Sequence, residues 1–257
     1  MSDAVEGPPG AGPDLELVKA EVAMRWQETP LEELTERRTA MRDVADSMRT
    51  IIDRLVGTAA PTELIVEMVD ELASIASQLD DWPHGTLYEG FAEAANAGAD
   101  PHAMFEHSPF IGRANPLAPP ISLAEVDGHL EGRARFGSAY EGPPGCVHGG
   151  YIAGAFDELL GATQSLSGNP GMTARLTVNY RTPTPLHADL FMRGELTSVE
   201  GRKIFTHGWL YATDPDGTER LCAEADGLFI SIDFGRFAAM KNEREQAERH
   251  RLEGTDD

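Results

Sequence analysis

Cysteine, positive charge and long apolar runs are what this sequence has least of. Only two cysteines, Cys146 and Cys222, occur in 257 residues, too few for a disulfide scaffold and without the paired spacing of a structural zinc site. Lys and Arg number 21 against 43 Asp and Glu, a formal net charge of −22, which opposes binding to nucleic acid or to an anionic membrane surface. No run approaches the ~18 consecutive apolar residues of a membrane span, and Met1 is followed by an acidic, Gly/Pro-rich stretch in place of the basic and then apolar segments of a signal peptide. Together these absences predict a cytoplasmic protein that binds neither nucleic acid nor membrane and carries no metal. What is present is a 41% hydrophobic content, enough to bury a substantial core in one compact domain or in one domain plus a smaller attachment.

The acidity is uneven. Residues 1–120 carry 22 acids and 8 bases, whereas residues 121–240 carry 15 and 9. The Pro-rich segment Asn115-Pro116-Leu117-Ala118-Pro119-Pro120 separates helical patterns before it from strand patterns after it. Four regions follow: a disordered N-terminus (1–13), a helical extension (14–110), a main domain (111–240) and a charged flexible tail (241–257). In the extension, Thr29-Pro30-Leu31-Glu32 reads as an N-cap, a first-turn proline and a capping box, and Gly57 suits the stop. Leu34, Met41, Met48 and Leu55 recur every seven residues. A second helix opening at Pro61 sets Ile65, Met68, Leu72, Ile75 and Leu79 on one stripe. These stripes predict a hairpin packed together or onto its neighbour.

From residue 121 the period changes to two. Ile121–Asp127 and His129–Phe136 form a hairpin pattern around Gly128, and one long helix spans about Gly149 to Leu166. Four strands follow, at Met172–Arg181, Ala188–Val199, Arg202–Thr213 and Thr218–Asp233. In the first of these, Met172, Ala174, Leu176, Val178 and Tyr180 alternate with Thr173, Arg175, Thr177 and Asn179, so Thr173 is expected to face away from the apolar side. The order β-β-α-β-β-β-β predicts an α+β fold in which an antiparallel sheet curls around one central helix, the hotdog arrangement.

Just before that helix lies Gly142-Pro143-Pro144-Gly145-Cys146-Val147-His148-Gly149-Gly150. Its glycine pair places unobstructed backbone N–H groups at the helix's positive end, which suits an oxyanion. His148-Gly149-Gly150, then Asp157 nine positions after His148, Met172-Thr173-Ala174, Val178-Asn179-Tyr180 and Thr182-Pro183 together resemble the hotdog-fold acyl-CoA thioesterases. The similarity is to the PaaI-like branch that includes the animal thioesterase superfamily members, which also share the pattern Glu200-Gly201-Arg202-Lys203 and a strand ending like Leu228-Phe229-Ile230. The likeness covers roughly residues 108–234, and the first hundred residues have no clear counterpart. It implies hydrolysis of an acyl-CoA substrate by a homodimer or dimer of dimers. Coenzyme A is then part of the substrate and no separate cofactor is needed. The family's His, helix Asp and strand Thr are matched by His148, Asp157 and Thr173.

The spacing makes its own argument. Nine helical residues rise ~13.5 Å, too far for Asp157 to serve a carbonyl bound at its own helix's N-terminus. The site is therefore expected to be shared, with Gly149 and Gly150 of one chain facing Asp157 of another about a two-fold axis. In this reading Gly150 N–H, joined by Gly149, binds the oxyanion, and Asp157 is either the base for water or the nucleophile. Thr173 positions the water or the carboxylate, and His148 fixes the loop or contacts the thioester. Asp157 sits among Ala153, Gly154, Ala155, Phe156, Leu159 and Leu160, which predicts a largely buried carboxylate. Glu158 is a rival base that points elsewhere around the helix.

Cys146 lacks an evident His/Asn partner, and His129, His187 and His207 are isolated. Arg181, Arg202 and Lys203, with Asn179, are the residues expected at the CoA end. The acyl chain is expected in an apolar channel near the helix and the subunit interface, its length set by how the N-terminal helices and side chains such as Phe156, Leu160 and Phe191 block that channel. Two other functions fit the fold: an enoyl-CoA hydratase, and a non-catalytic acyl-CoA-binding or sensing protein.

Overall fold

A computed structural model of the chain describes residues 35–82, 106–169 and 171–231. The expectations for residues 1–13, for the helix start at Thr29–Glu32 and for the tail at 241–257 lie outside the described residues.

Six strands form one antiparallel sheet: β1 (Ile121–Val126), β2 (His129–Ala134), β3 (Gly171–Tyr180), β4 (Leu190–Glu200), β5 (Lys203–Thr213) and β6 (Glu219–Ser231). Their order is β1-β2-β4-β5-β6-β3, so β3 is an edge strand. The sequence boundaries hold to within about two residues at each end. Asp127 and Gly128, both with positive φ (48° and 80°), make the β1–β2 turn, the backbone sense that matches strand twist.

Alternation sorts the strands into an inner and an outer face. On β5, Ile204, Thr206, Gly208, Leu210 and Ala212 are buried, while their neighbours from Phe205 to Tyr211 are partly exposed. Two helices precede the sheet and a third lies against its inner face: α1 (Glu36–Leu55), α2 (Thr62–Ser77) and α3 (Gly149–Ser165). α3 buries Ile152, Ala155, Phe156, Leu159, Leu160 and Thr163, among others. A side chain at Gly208 would come within 3.0 Å of Leu160, and one at Gly194 would overlap the Thr163 hydroxyl. Glycine at these strand positions lets the helix lie close to the sheet. The α+β hotdog arrangement expected from the sequence is the fold observed.

The extension packs differently from the expectation. α1 begins at Glu36, with Thr35 as its N-cap: Thr35 Oγ1 accepts from the Arg38 N–H at 3.2 Å. Gly57, at φ 75°, marks its end. The heptad stripe is not a buried seam, since Met41, Met48 and Leu55 are exposed and only Ala45 of α1 is buried. No residue of α2 is buried.

α1 docks instead through a polar stripe. Arg42 makes a bidentate pair with Glu106, Nε to Oε1 at 2.6 Å and the guanidinium to Oε2 at 2.7 Å. Arg49 donates to the carbonyls of Asn115 and Arg113, and Asp53 accepts from the Ser138 N–H at 2.6 Å. Residues 42, 45, 49 and 53 recur at helical spacing on one face. The mistaken stripe and the true one share the same period, so periodicity alone cannot say which of them is docked.

Candidate active site

Asp157 lies on α3 and Thr173 on the edge strand β3, and the Thr173 hydroxyl donates to Asp157 Oδ1 at 2.9 Å. Strict alternation would aim Thr173 at the outer face. A β-bulge prevents this: the pairing to β6 runs Thr173 to Phe229 and then Arg175 directly to Leu228, leaving Ala174 unpaired. The extra residue reverses the phase. Thr173 therefore shares the inner face with Leu176, Val178 and Tyr180, whose partners on β6 are the buried positions Phe229, Gly227, Ala225 and Ala223. Met172 goes to the outer face. This corrects the sequence expectation for Thr173.

The carboxylates also exchange the expected environments. Asp157 is exposed in the single chain, and its neighbour Glu158 is the sheltered one. Burial and then the adjacent Asp157 charge push the Glu158 carboxyl up to about 7, against a stabilising hydrogen bond from Ser108. Ser108 Oγ approaches Glu158 Oε1 at 3.3 Å from a segment outside the sheet. Glu158 is thus the carboxyl whose environment the sequence reading underrated. Its signal there was only its position beside Asp157.

His148 is the N-cap of α3. Its Nδ1 accepts the Gly150 N–H at 3.0 Å, which fixes the neutral ring as the Nε2–H tautomer and leaves that N–H outward. The consequence is a correction at the oxyanion site. The Gly150 N–H is already taken, and the Gly149 N–H is the donor left without an acceptor among the described residues. The Gly149 carbonyl accepts from Tyr180 Oη at 2.8 Å, so the end of β3 holds the first turn of α3. Gly149 N–H and Asp157 are eight residues apart on one helix, ~12 Å of rise.

The basic and channel residues are dispersed. Arg181 is paired with Glu224, and Asn179 also lies opposite Glu224 on the outer face. Arg202 donates to the Ser231 carbonyl at 3.1 and 3.3 Å, with Lys203 beside it at the start of β5. Ser231 pairs with Gly171 at the far end of β3 from Arg181, so ten strand residues, ~33 Å, separate the two groups within one chain. They do not form a single basic mouth there.

Phe156 and Leu160 are fully buried in the core. Phe191 lies on the outer face with Arg133 stacked over it at 5.9 Å. His129, His187 and His207 each hydrogen-bond a nearby side chain, Glu131, Ser138 and Asp226 respectively. Cys146 and Cys222 are free. No helix among the described residues is long and apolar enough to cross a membrane.

Comparison with known proteins finds matches that cover this region of the chain. The family model of the thioesterase superfamily matches residues 144–218, which include His148, Gly149, Asp157 and Thr173. The acyl-coenzyme A thioesterase THEM4 of Xenopus laevis is 38% identical over 96 residues, 37% of this chain and 42% of that protein. The acyl-coenzyme A thioesterase THEM5 of Homo sapiens is 29% identical over 96 residues, 37% of this chain and 38% of that protein. The matched stretch is thus less than half the length of either curated relative. The crystal structure of a thioesterase superfamily protein is 32% identical, covering 79% of this chain and 94% of that one, with a TM-score of 0.65. A match over 79% of the chain is too long to fit within the main domain and tail, so it includes part of the helical extension, for which the sequence alone suggests no counterpart.

Proposed function

The chain belongs to the thioesterase superfamily, and from that premise we propose that it hydrolyses acyl-CoA thioesters to the free acid and CoA at a site completed by a second copy of the chain. The observation that carries this reading is the Thr173–Asp157 hydrogen bond on an exposed turn of the helix whose N-terminus offers the open Gly149 N–H. A carboxylate, an aligning hydroxyl and an unoccupied helix-terminal donor are the groups that acyl transfer to water requires.

The ~12 Å between donor and carboxylate is bridged when two copies set their α3 helices antiparallel about a two-fold axis. Each Gly149 then faces the partner subunit's Asp157. The thioester carbonyl oxygen accepts from the Gly149 N–H at the positive end of α3, where developing negative charge is stabilised. Thr173 donates to one Asp157 oxygen, leaving the other to take a proton from water as the water oxygen adds to the carbonyl carbon. Collapse of the tetrahedral intermediate breaks the C–S bond, and the proton held by Asp157 passes to the leaving thiolate. In the covalent variant Asp157 itself attacks the carbonyl carbon and expels the CoA thiolate, and water then hydrolyses the mixed anhydride, its proton passing to the thiolate and Asp157 being restored. His148 organises the loop by capping Gly150. Coenzyme A is part of the substrate and no separate cofactor takes part.

A thiol-reagent assay of CoA release across short-, medium- and long-chain and aromatic acyl-CoAs tests the reading. Turnover in the wild type that falls by ~10²–10⁴ in Asp157→Asn supports it, this being the usual contribution of a general base. Binding of acyl-CoA without CoA release across the whole panel favours a sensing protein. Hydration of an enoyl-CoA without CoA release favours a hydratase.

A further inference from the structure

We infer that Phe110, presented by the segment that the helical extension anchors, limits the size of the acyl group accepted. This deepens the thioesterase reading and rests on it. The residues expected from the sequence to bound the acyl group do not do so within the chain, because Phe156 and Leu160 are core and Phe191 is on the outer face. Phe110 lies against α3 instead. A side chain at Gly154 would overlap the Phe110 ring, so the ring rests directly on the α3 backbone there. Gly154 precedes Asp157 by three residues, and helix positions three apart are adjacent on one face, ~5–6 Å between Cβ atoms. The ring therefore stands within one helical turn of Asp157, on the side toward the helix N-terminus.

The placement is built. Glu106 is held by the bidentate pair with Arg42, and both side chains are nearly inaccessible, 6% and 11% exposed. From there the chain turns sharply: the Glu106 carbonyl accepts from the Ala114 N–H and the Ser108 carbonyl from the Gly112 N–H. A side chain at Gly112 would overlap the Ser108 backbone. The Ser108 hydroxyl accepts from the N–H groups of Phe110 and Ile111 and reaches Glu158. Phe110 meets Tyr151 edge-on, ring centroids 6.5 Å apart, and Tyr151 in turn meets the ring of His148. Residues 106–114 thus form a loop that touches α3 at Tyr151, Gly154 and Glu158, positions that flank Asp157 along the sequence. A long acyl group leaving the carbonyl past Asp157 meets an aromatic wall held by α1.

The test is the ratio of kcat/KM for long-chain to short-chain acyl-CoA, measured on full-length wild type, Phe110→Ala, Phe110→Leu and Arg42→Met. Phe110→Ala is expected to raise that ratio by ~10-fold, the selectivity that a few methylenes of pocket space supply. Arg42→Met shifts the ratio in the same direction by loosening the loop, and Phe110→Leu keeps a near-wild-type ratio. A common drop on every acyl-CoA, with the ratio unchanged in Phe110→Ala and Arg42→Met, assigns Phe110 a structural role and overturns the inference while leaving the thioesterase reading intact. Absence of wild-type turnover on every acyl-CoA overturns both.

Discussion

The central helix and the helix that precedes it in the extension are held by opposite physics. α3 buries Phe156, Leu159 and Leu160 completely and turns its one aspartate outward. α1 leaves Met41, Val44, Met48 and Ile52 exposed and docks by the Arg42–Glu106 pair, by Arg49 to two carbonyls and by Asp53 to Ser138. Apolar burial is strong and non-directional, so it fixes α3 in the body of the molecule and leaves its exposed turn free for chemistry. Ion pairs and hydrogen bonds are directional and costly to leave half-made, so they specify which loop α1 clamps more than they add net stability. The extension is thereby suited to position a loop, and the core helix to carry the reacting groups.

The sharpest way to break this division is at the start of α3. Proline is tolerated at the first helical position and lacks only the N–H. His148 already has the extended backbone, φ −62° and ψ 132°, that a following proline requires. Gly149→Pro is expected to keep the helix, with a few tenths of an ångström of adjustment at Tyr180, yet to lower kcat by ~10²–10³, the cost of one lost oxyanion donor. Circular dichroism and steady-state kinetics check both halves. Next in size, Arg42→Met strands the nearly inaccessible Glu106 carboxylate, which costs about 3–5 kcal/mol where the pair is made. Hydrogen exchange should report this as loss of protection in α1 and around residues 106–114, with α3 unaffected.

Leu160→Ala, by contrast, cuts into the shared core and should cost about 2–5 kcal/mol of global stability in denaturant titration. Glu158→Gln probes the contact between the two regions. Because the folded carboxyl titrates at about 7 and the usual value is 4.5, the unfolded chain loses its proton first. Wild-type stability therefore falls relative to Glu158→Gln as pH rises from about 4.5 to 7, by at most ~3 kcal/mol, and the difference is constant above that range. A difference that grew toward low pH would contradict the assigned environment. The smallest effect belongs to Met48→Ala on the exposed face of α1, within about 0.5 kcal/mol.

The same contrast explains what was legible in the sequence. Strand alternation, the glycines before α3 and the apolar density of Ile152–Leu160 report burial, and the strand limits and the central helix follow from them. The Asp157 and Thr173 positions were readable from the motif, but their surroundings were not. The bulge at Ala174 leaves no mark on the alternation of Met172 to Tyr180 while inverting the face of Thr173. Likewise, His148 capping Gly150 removes a donor that sequence counts as free. Phe110 was invisible as a site residue because its partner, Gly154, lies 44 positions away and carries no side chain to betray the contact. Along α1, the polar docking stripe is outshone by a heptad of methionines and leucines that docks to nothing among the described residues.

In the proposed site Gly149 of one copy works with Asp157 of the other, and mixing two inactive variants shows whether they do. Asp157→Asn and Gly149→Pro proteins, each purified alone and then unfolded and refolded together, form mixed dimers in which one of the two sites has both groups intact. CoA release is expected to return to about a quarter of the wild-type rate, since about half of the dimers are mixed and each of those carries one good site. A refolded mixture that forms mixed dimers yet stays as inactive as its parents would place both groups in a single chain's site and contradict it.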